Sequence, residues 1–158
     1  MTPLLAALSE ALGADCVTTE AALLERHGHD WSVVPAQVPL AVIRPRDTAG
    51  VAAALRICHA HKQSVVPQGG RTGVSGGAVP GSGDIALSLD RLVGIEAIDP
   101  AAATMTVWAG TPLEVVQAAA RDAGFFCPLD LGARGSCAIG GNIATNAGGN
   151  RVVRYGMT

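Results

Sequence analysis

Two glycine-rich stretches hold the residues of this chain that are best suited to bind a ligand. The first, residues 67–77, reads Pro-Gln-Gly-Gly-Arg-Thr-Gly-Val-Ser-Gly-Gly. Glycine adopts positive φ angles without a steric clash, so a run of glycines can direct successive backbone N–H groups at one anion. Thr72 and Ser75 add hydroxyl donors. The stretch therefore predicts a phosphate-binding loop, with a tightly turned surface loop as the alternative.

The second stretch, residues 138–149, reads Ala-Ile-Gly-Gly-Asn-Ile-Ala-Thr-Asn-Ala-Gly-Gly. It is small and polar, but it lacks the charge that disordered linkers usually carry. We interpret it as a second backbone surface built for close approach to a ligand. Arg134 is the charged residue nearest to this surface, and both a salt bridge and a substrate contact remain open for it.

Several other ligand chemistries are excluded by spacing. A P-loop requires Gly-Lys-Ser/Thr, and the only lysine, Lys62, lies outside the glycines. A Rossmann fingerprint requires GxGxxG leading into a helix, whereas residues 69–73 have another spacing and lead toward a strand. Neither glycine-rich stretch contains a histidine, so no catalytic triad is indicated. The sequence predicts no catalytic residue and no metal ligand in this chain.

The histidines and cysteines are given structural interpretations. His27 and His29 have no third ligand at a suitable spacing and are predicted to be surface or loop residues. His59 and His61 fall near the end of a predicted helix and are expected to be solvated. The cysteines form no CxxC pair and are predicted to be reduced and mostly buried. They are Cys16, Cys58, Cys127 and Cys137.

Composition places the chain among alanine- and glycine-rich globular proteins. The 158 residues are 49% hydrophobic but only 3% aromatic and 15% charged. A net charge of -2 argues against a nucleic-acid partner. The sequence has no stretch of about 18 apolar residues, so no membrane span is predicted. The N-terminus lacks the basic region of a secretory signal, so a cytoplasmic location is expected.

The first glycine-rich loop is positioned by a predicted βαβ unit. Helices are predicted over residues 3–12, ending at Gly13, and over residues 19–27. A strand at 40–43 precedes a helix capped by Asp47 or Thr48, and a strand at 64–67 leads directly into the loop. The inner face of the third helix is predicted to carry Val51, Ala54, Leu55 and Cys58.

The second glycine-rich stretch follows a different pattern of elements. Residues 84–89 and 104–109 alternate with period two, as is typical of strands. Residues 95–98 lie between them, and the turn signal at Asp99-Pro100 predicts a hairpin there. A capping box with proline in the first turn predicts a helix that starts near Thr111 and ends at Gly124.

These motifs resemble those of a known flavoprotein family. Residues 67–77 resemble the pyrophosphate loop of FAD-linked oxidases of the vanillyl-alcohol-oxidase type, and residues 128–149 are similar to the second flavin-contacting segment of that family. The run Pro-Leu-Asp-Leu-Gly-Ala-Arg-Gly-Ser-Cys at 128–137 is most similar to D-2-hydroxyglutarate dehydrogenases, with glycolate oxidase subunits and D-lactate dehydrogenases as near relatives. The resemblance runs from about Pro39 to the end.

The resemblance implies an α+β fold, a PCMH-type FAD-binding domain. A small βαβ subdomain would be followed by a mixed or antiparallel sheet with helices, incomplete at the C-terminus. Residues 1–38 would form an N-terminal helical segment, and residues 39–158 the N-terminal part of the FAD-binding domain, without the substrate domain. A chain of this kind would serve a flavin-dependent D-2-hydroxyacid dehydrogenase, but would be inactive alone.

The resemblance also implies the site residues. The FAD pyrophosphate would be held by Pro67, Gln68, Gly69, Gly70, Arg71, Thr72, Gly73, Ser75, Gly76 and Gly77. The flavin and ribityl side would be lined by Pro128, Leu129, Asp130, Gly135, Ser136, Gly140, Gly141, Asn142 and Thr145, with Gly140 and Gly141 leaving room for the ring. Covalent relatives place a histidine where this chain has Arg71, so non-covalent FAD is expected.

The implied reaction is oxidation of a 2-hydroxy acid, D-2-hydroxyglutarate first, to the 2-oxo acid by hydride transfer to FAD. The implied electron acceptor is an electron-transfer flavoprotein or a quinone. A stand-alone nucleotide- or anion-binding module without catalysis is the alternative from another class. Glycolate oxidase and D-lactate dehydrogenase are the alternatives within the family.

Overall fold

The computed structural model describes residues 2–158, which divide into two compact units. The first unit ends at Arg91, and the second comprises Leu92–Thr158. The first contains, in chain order, α1 (Pro3–Leu12), a 3₁₀ turn (Ala14–Cys16), β1 (Val17–Thr18), α2 (Ala21–Arg26), β2 (Ala41–Ile43), α3 (Thr48–Ala60), β3 (Val65–Gln68) and β4 (Ile85–Ser88).

The sheet of the first unit has the strand order β1-β2-β4-β3. β4 pairs in parallel with β2 and with β3, while β1 adds to β2 in the antiparallel direction. The predicted β2-α3-β3 unit is confirmed, with β4 inserted between its two strands. The alternating pattern predicted for residues 84–89 does not appear as one-sided burial, because β4 is a central strand and all four of its residues are buried.

Two helices complete the core of this unit. α1 carries Leu4, Leu5 and Leu8 into a cluster that also contains Ala54 and Cys58 of α3. As predicted, α1 begins at Pro3 and ends before Gly13, whose φ is 95°. The Asp47 carboxylate caps α3 by accepting a hydrogen bond from the Gly50 N–H at 2.7 Å.

One residue predicted for the inner face of α3 lies outside it. Leu55 is 46% exposed. Successive helical residues are rotated by about 100°, so Leu55 lies about 100° from the buried Ala54 and about 60° from the buried Cys58, at the edge of the inner face.

The residues before Pro39 belong to the same compact unit as those that follow. β1 pairs with β2, and α1 packs in the core with α3. The predicted division after residue 38 marks where the FAD-binding domain was expected to begin. It differs from the boundary between the two compact units, which follows Arg91.

The second unit joins a hairpin to three helices. Its elements are β5 (Ile95–Asp99), β6 (Thr104–Val107), α4 (Leu113–Asp122), α5 (Ile139–Ala144) and α6 (Val152–Tyr155). β5 and β6 pair antiparallel, as predicted, with a bulge between Ile95 and Ala97. The Asp99 carboxylate stabilises the turn by accepting hydrogen bonds from the N–H groups of Ala101 and Ala102.

The capping box predicted at the start of α4 is wrong. Thr111 is fully buried, and its hydroxyl accepts a hydrogen bond from the Gly94 N–H at 3.0 Å and donates one to the Gly94 carbonyl at 3.1 Å. Pro112 is the N-cap residue and makes no side-chain capping bond. The Thr111 hydroxyl, which was predicted to cap α4, instead hydrogen-bonds to the residue that precedes β5.

None of the helices described over residues 2–158 is long and apolar enough to cross a membrane.

Candidate functional site

The first glycine-rich loop begins at the carboxyl end of β3, where parallel α/β sheets commonly bind ligands. Gln68, the last residue of β3, pairs with Ser88 of β4, and its carbonyl accepts a hydrogen bond from the Leu89 N–H at 2.9 Å. The start of the loop, on the edge strand β3, is therefore hydrogen-bonded to the central strand β4.

The polar groups of this loop are available to a ligand. Among residues 2–158, no backbone N–H group of residues 69–77 donates a hydrogen bond to another part of the chain. The hydroxyls of Thr72 and Ser75 likewise have no hydrogen-bond partner within the described chain. Unpaired backbone donors are normally satisfied by water or by a ligand, and a row of them fits a diphosphate.

Arg71 adds positive charge to the same loop. Its φ is 54°, in the left-handed region, and no carboxylate of the described chain lies within salt-bridge distance of its guanidinium. Burial and then repulsion from Arg26 lower the pKa of Arg71, while Asp90 acts in the opposite direction. Arginine nevertheless stays protonated in proteins, so this cation can pair with an anionic ligand.

The Gln68 side chain is held inside the protein. Its Nε2 donates to the carbonyls of His27, at 2.8 Å, and Ala78, at 2.7 Å. Its Oε1 lies 2.6 Å from Nδ1 of His27. Both polar atoms of the Gln68 side chain already have partners. The predicted contact of Gln68 with a cofactor would therefore have to be made by its backbone.

The burial of His27 beside the start of the loop was not predicted from the sequence. His27 was predicted to be a surface or loop residue, and it lies in the turn that ends α2, but it is only 2% exposed. The error arises because its partner, Gln68, lies 41 positions away, and no local pattern signals that pairing. His29, in contrast, is exposed as predicted.

The other end of the loop is held by the residues that follow His27. The Trp31 N–H donates to the Gly73 carbonyl at 3.0 Å. The Asp30 carboxylate, which is buried, accepts hydrogen bonds from the N–H groups of Ser32, at 2.8 Å, and Ala78, at 3.5 Å. Burial alone would raise the pKa of Asp30, but the hydrogen bonds from Ser32 and Ala78 outweigh it and hold the pKa below its ordinary value.

Gly76 fits this arrangement for two reasons. Its φ is 79°, a region that glycine enters without strain. A Cβ built on Gly76 would also lie 2.5 Å from Cγ2 of Val34.

The second predicted segment lies in the second unit and is organised around Asp130. The Asp130 carboxylate, 14% exposed, accepts hydrogen bonds or ion pairs from Arg134, at 3.1 Å, and Arg151, at 3.3 Å. Leu129, half-buried like Pro128, accepts a hydrogen bond from Gln117 through its carbonyl at 2.6 Å. Of the two roles left open for Arg134, the structure therefore contains the salt bridge.

The end of the predicted surface is a short helix, α5, and its two adjacent glycines differ. A Cβ on Gly140 would lie 2.7 Å from the Cβ of Ala109, so this glycine is required by packing within the unit. Gly141 has no other residue within 4 Å of such an atom and is open. The prediction that both leave room for a ligand therefore has a structural basis in Gly141 alone.

The remaining predicted residues divide between surface and interior. Gly135, Ser136 and Thr145 are exposed. The Thr145 hydroxyl donates to the Gly141 carbonyl at 2.8 Å, and the Ser136 hydroxyl donates to the Ala133 carbonyl at 3.2 Å. Asn142 is buried, and its Oδ1 lies 3.6 Å from Sγ of Cys137.

All four cysteines are free thiols, and three of them are buried, as predicted. Over the described residues, no group of three or more histidine, cysteine, aspartate or glutamate side chains is placed to hold a metal ion.

Comparison with known proteins places the chain in a family. The model of the FAD binding domain family matches residues 39–158. D-2-hydroxyglutarate dehydrogenase of Xanthomonas citri pv. viticola is 49% identical over 159 aligned positions, which cover 99% of this chain and 33% of that protein. The mitochondrial D-2-hydroxyglutarate dehydrogenase of Bos taurus is 42% identical, covering 89% of this chain and 26% of that protein.

The chain thus spans about a third or less of the length of these curated relatives. Among solved structures, alkyldihydroxyacetonephosphate synthase matches with a TM-score of 0.84 at 16% identity, over 95% of this chain and 31% of that chain. At this identity the likeness shows the fold, which confirms the predicted α+β architecture of PCMH-type domains. Because the family model matches more than half of its residues, the chain belongs to the FAD binding domain family.

Proposed function

We propose that this chain is the N-terminal part of the FAD-binding domain of a flavin-dependent D-2-hydroxyacid dehydrogenase, with D-2-hydroxyglutarate as the first substrate to test. The observation that carries the proposal is the set of backbone N–H groups at residues 69–77 that have no hydrogen-bond partner in the described chain. They follow the carboxyl end of the parallel strand β3. Arg71 lies among them and pairs with no carboxylate of the described residues. The relatives at 42 to 49% identity supply the substrate class.

The first loop would bind the FAD pyrophosphate. Its backbone N–H groups would donate to the phosphate oxygens, and Thr72 and Ser75 would add hydroxyl donors. Each hydrogen bond to a charged oxygen contributes about 1.5 to 3 kcal/mol. Arg71 would neutralise part of the phosphate charge.

The second segment would line the flavin and ribityl side. Gly141 is open to an incoming ring, and the exposed Gly135, Ser136 and Thr145 can approach a ligand through backbone and hydroxyl groups. Asp130, which pairs with Arg134 and Arg151, would contribute by fixing the shape of this segment. The buried Asn142, whose Oδ1 faces Sγ of Cys137, would do the same.

We propose that FAD is held without a covalent bond. By its resemblance to the family, Arg71 stands where covalent relatives carry a histidine, and a protonated guanidinium has no free lone pair with which to form a bond to the flavin. Acid precipitation of the FAD-loaded protein is expected to release all yellow colour into the supernatant. Colour that stays with the washed pellet would contradict this.

The chemistry that FAD supplies when bound is acceptance of a hydride from the α-carbon of the substrate. The residues of this chain bind and orient the cofactor, and the proposal assigns them no proton transfer. An electron-transfer flavoprotein or a quinone is proposed as the final electron acceptor, and a cytoplasmic location stays a prediction.

Titration of the chain with FAD, followed by quenching of flavin fluorescence, tests the proposed binding. Saturable quenching that is competed by ADP is expected, because ADP carries the same diphosphate. Absence of saturable binding both in this chain and in a protein that continues beyond Thr158 would overturn the proposal.

The substrate class requires a separate assay. Dehydrogenase activity of the longer protein should be greater with D-2-hydroxyglutarate than with D-lactate or glycolate. Equal activity with all three would remove the preference. FAD binding with no activity on any 2-hydroxy acid would favour the alternative of a nucleotide-binding module without catalysis.

A further inference from the structure

We propose that His27 and Asp30, which precede the region matched by the family model, are positioning residues that hold the glycine-rich loop in the shape that binds a diphosphate. The inference rests on the proposed function for the identity of the ligand. Its structural part, the control of the loop by residues 27–34, rests on contacts within the first unit alone.

The hydrogen-bond geometry assigns a proton to Nδ1 of His27. Nε2 of Gln68 faces two carbonyl oxygens, those of His27 and Ala78, so the amide orientation is set and Oε1 is the atom that faces the imidazole. Nδ1 of His27 must then carry a proton and donate it to Oε1 across 2.6 Å. Arg71 Nη1, 3.3 Å from the same nitrogen, cannot also donate to it. His27 is therefore an Nδ1–H donor that holds the Gln68 side chain at the start of the loop.

Asp30 and its neighbours hold the far end. The Asp30 carboxylate receives the Ala78 N–H, and the Trp31 N–H reaches the Gly73 carbonyl. Val34 packs against Gly76. The segment 27–34 thus contacts the glycine-rich loop at its beginning, middle and end.

A loop of this composition needs such support. Its own backbone N–H groups make no internal hydrogen bonds, and glycine loses more conformational entropy on ordering than other residues. Where the surrounding segment orders the loop in advance, the ligand does not have to supply that free energy on binding. Removal of one anchor should therefore weaken diphosphate binding without changing any residue that touches the ligand.

The central variant is His27→Phe, which keeps a ring but removes the donor. His27→Asn is the matched rescue, because its amide nitrogen occupies the position of Nδ1 and can donate to Gln68. His59→Phe is the control, since His59 is exposed on α3. We expect His27→Phe to raise the dissociation constant for FAD about tenfold, as for the loss of one buried hydrogen bond, and His27→Asn to stay within about twofold of wild type.

Riboflavin separates loop positioning from general damage, because it lacks the diphosphate. Its affinity should be unchanged in His27→Phe. An equal loss of affinity for FAD and riboflavin, or a failure of His27→Asn to restore FAD binding, would overturn the proposal.

Trypsin cleavage after Arg71 provides a readout that needs no cofactor. His27→Phe should be cleaved there about ten times faster than wild type, while cleavage of His59→Phe should match wild type. If His27→Phe does not fold, the same measurement on Asp30→Asn applies, since this change places an amide NH₂ opposite the Ala78 N–H. Unchanged cleavage in the folded variant overturns the positioning role. If neither wild type nor a protein that continues beyond Thr158 binds FAD but the cleavage result is as expected, the proposed function fails and loop positioning stands.

Discussion

Gly140 and Ala109 approach so closely that the Gly140 N–H donates to the Ala109 carbonyl at 2.8 Å, with no space for a side chain between them. A Cβ on Gly140 would lie 2.7 Å from Ala109 Cβ and 2.8 Å from its carbonyl oxygen. The next residue, Gly141, has nothing within 4 Å of the equivalent position. Two adjacent glycines with the same predicted role therefore meet different physical constraints.

Alanine substitutions of these two glycines should give opposite results. Gly140→Ala is expected to lower the free energy of unfolding by about 1 to 3 kcal/mol, because the backbone of Ala109 must move. Gly141→Ala should preserve or raise stability by up to about 1 kcal/mol, since alanine favours a helix. Urea unfolding of both variants checks this.

The same pair tests the proposed cofactor site. If Gly141 faces the flavin, Gly141→Ala should weaken FAD binding although the protein is no less stable. FAD affinity equal to that of wild type would remove Gly141 from the proposed site.

Thr111 should matter for stability through its hydroxyl. Thr111→Val keeps the shape but leaves the Gly94 N–H without its partner, which should cost about 1 to 3 kcal/mol. The Gly94 carbonyl loses one of two hydrogen bonds, since it also accepts from the Trp108 N–H at 3.0 Å. Thr111→Ser retains the hydroxyl and should be closer to wild type. Thermal unfolding of the three proteins measures the difference, and equal stability of Thr111→Val and wild type would show that the two hydrogen bonds contribute nothing.

Arg71 should contribute to FAD affinity through its charge. Arg71→Met is expected to raise the dissociation constant about tenfold, the value of one charge-assisted hydrogen bond, and Arg71→Lys should raise it less. Added salt should weaken binding more in wild type than in Arg71→Met, because mobile ions screen the charge. Arg56→Met, at an exposed position of α3, is the control. An identical salt dependence in wild type and Arg71→Met would argue against a phosphate contact.

His27 should make stability fall at acidic pH. Burial, and secondarily the charge of Arg71, lower the pKa of His27, while the hydrogen bond to Gln68 opposes the shift; Asp90 and Arg26 are the other charges that act on it. Because the folded pKa lies below the ordinary value of about 6.5, the unfolded chain takes up a proton first as pH falls. Stability that is present above about pH 6.5 is then lost progressively below it.

The measurement is the free energy of unfolding in urea at neutral pH and at one pH unit below 6.5. Wild type should lose up to about 1.4 kcal/mol more than His27→Asn over this interval. The comparison isolates His27 from the exposed histidines, which both proteins share. Parallel pH profiles would show that His27 is not held neutral by the fold.

Much of the secondary structure followed from local pattern. Pro3 and Gly13 bracket α1 because proline fits a first helical turn and glycine accepts the φ of 95° that ends the helix. The strand before the glycine-rich loop was recognisable as a short apolar run. Thr111 shows where local pattern is not enough to predict a contact. Its position before a helix suited a capping role, but its hydroxyl hydrogen-bonds to Gly94, 17 residues earlier.

The sequence by itself determined the glycine spacing of residues 67–77, the βαβ order that leads into it and the resemblance to FAD-binding proteins, because these depend on residues close together in the chain. Tertiary structure alone decided that His27 is buried against Gln68 and that Gly140 packs too closely against Ala109 for a side chain. It also decided that the N–H groups of the loop have no partner in the described chain. Each of these depends on which distant backbone approaches a given residue, and residue types or periodicity carry no information about that approach.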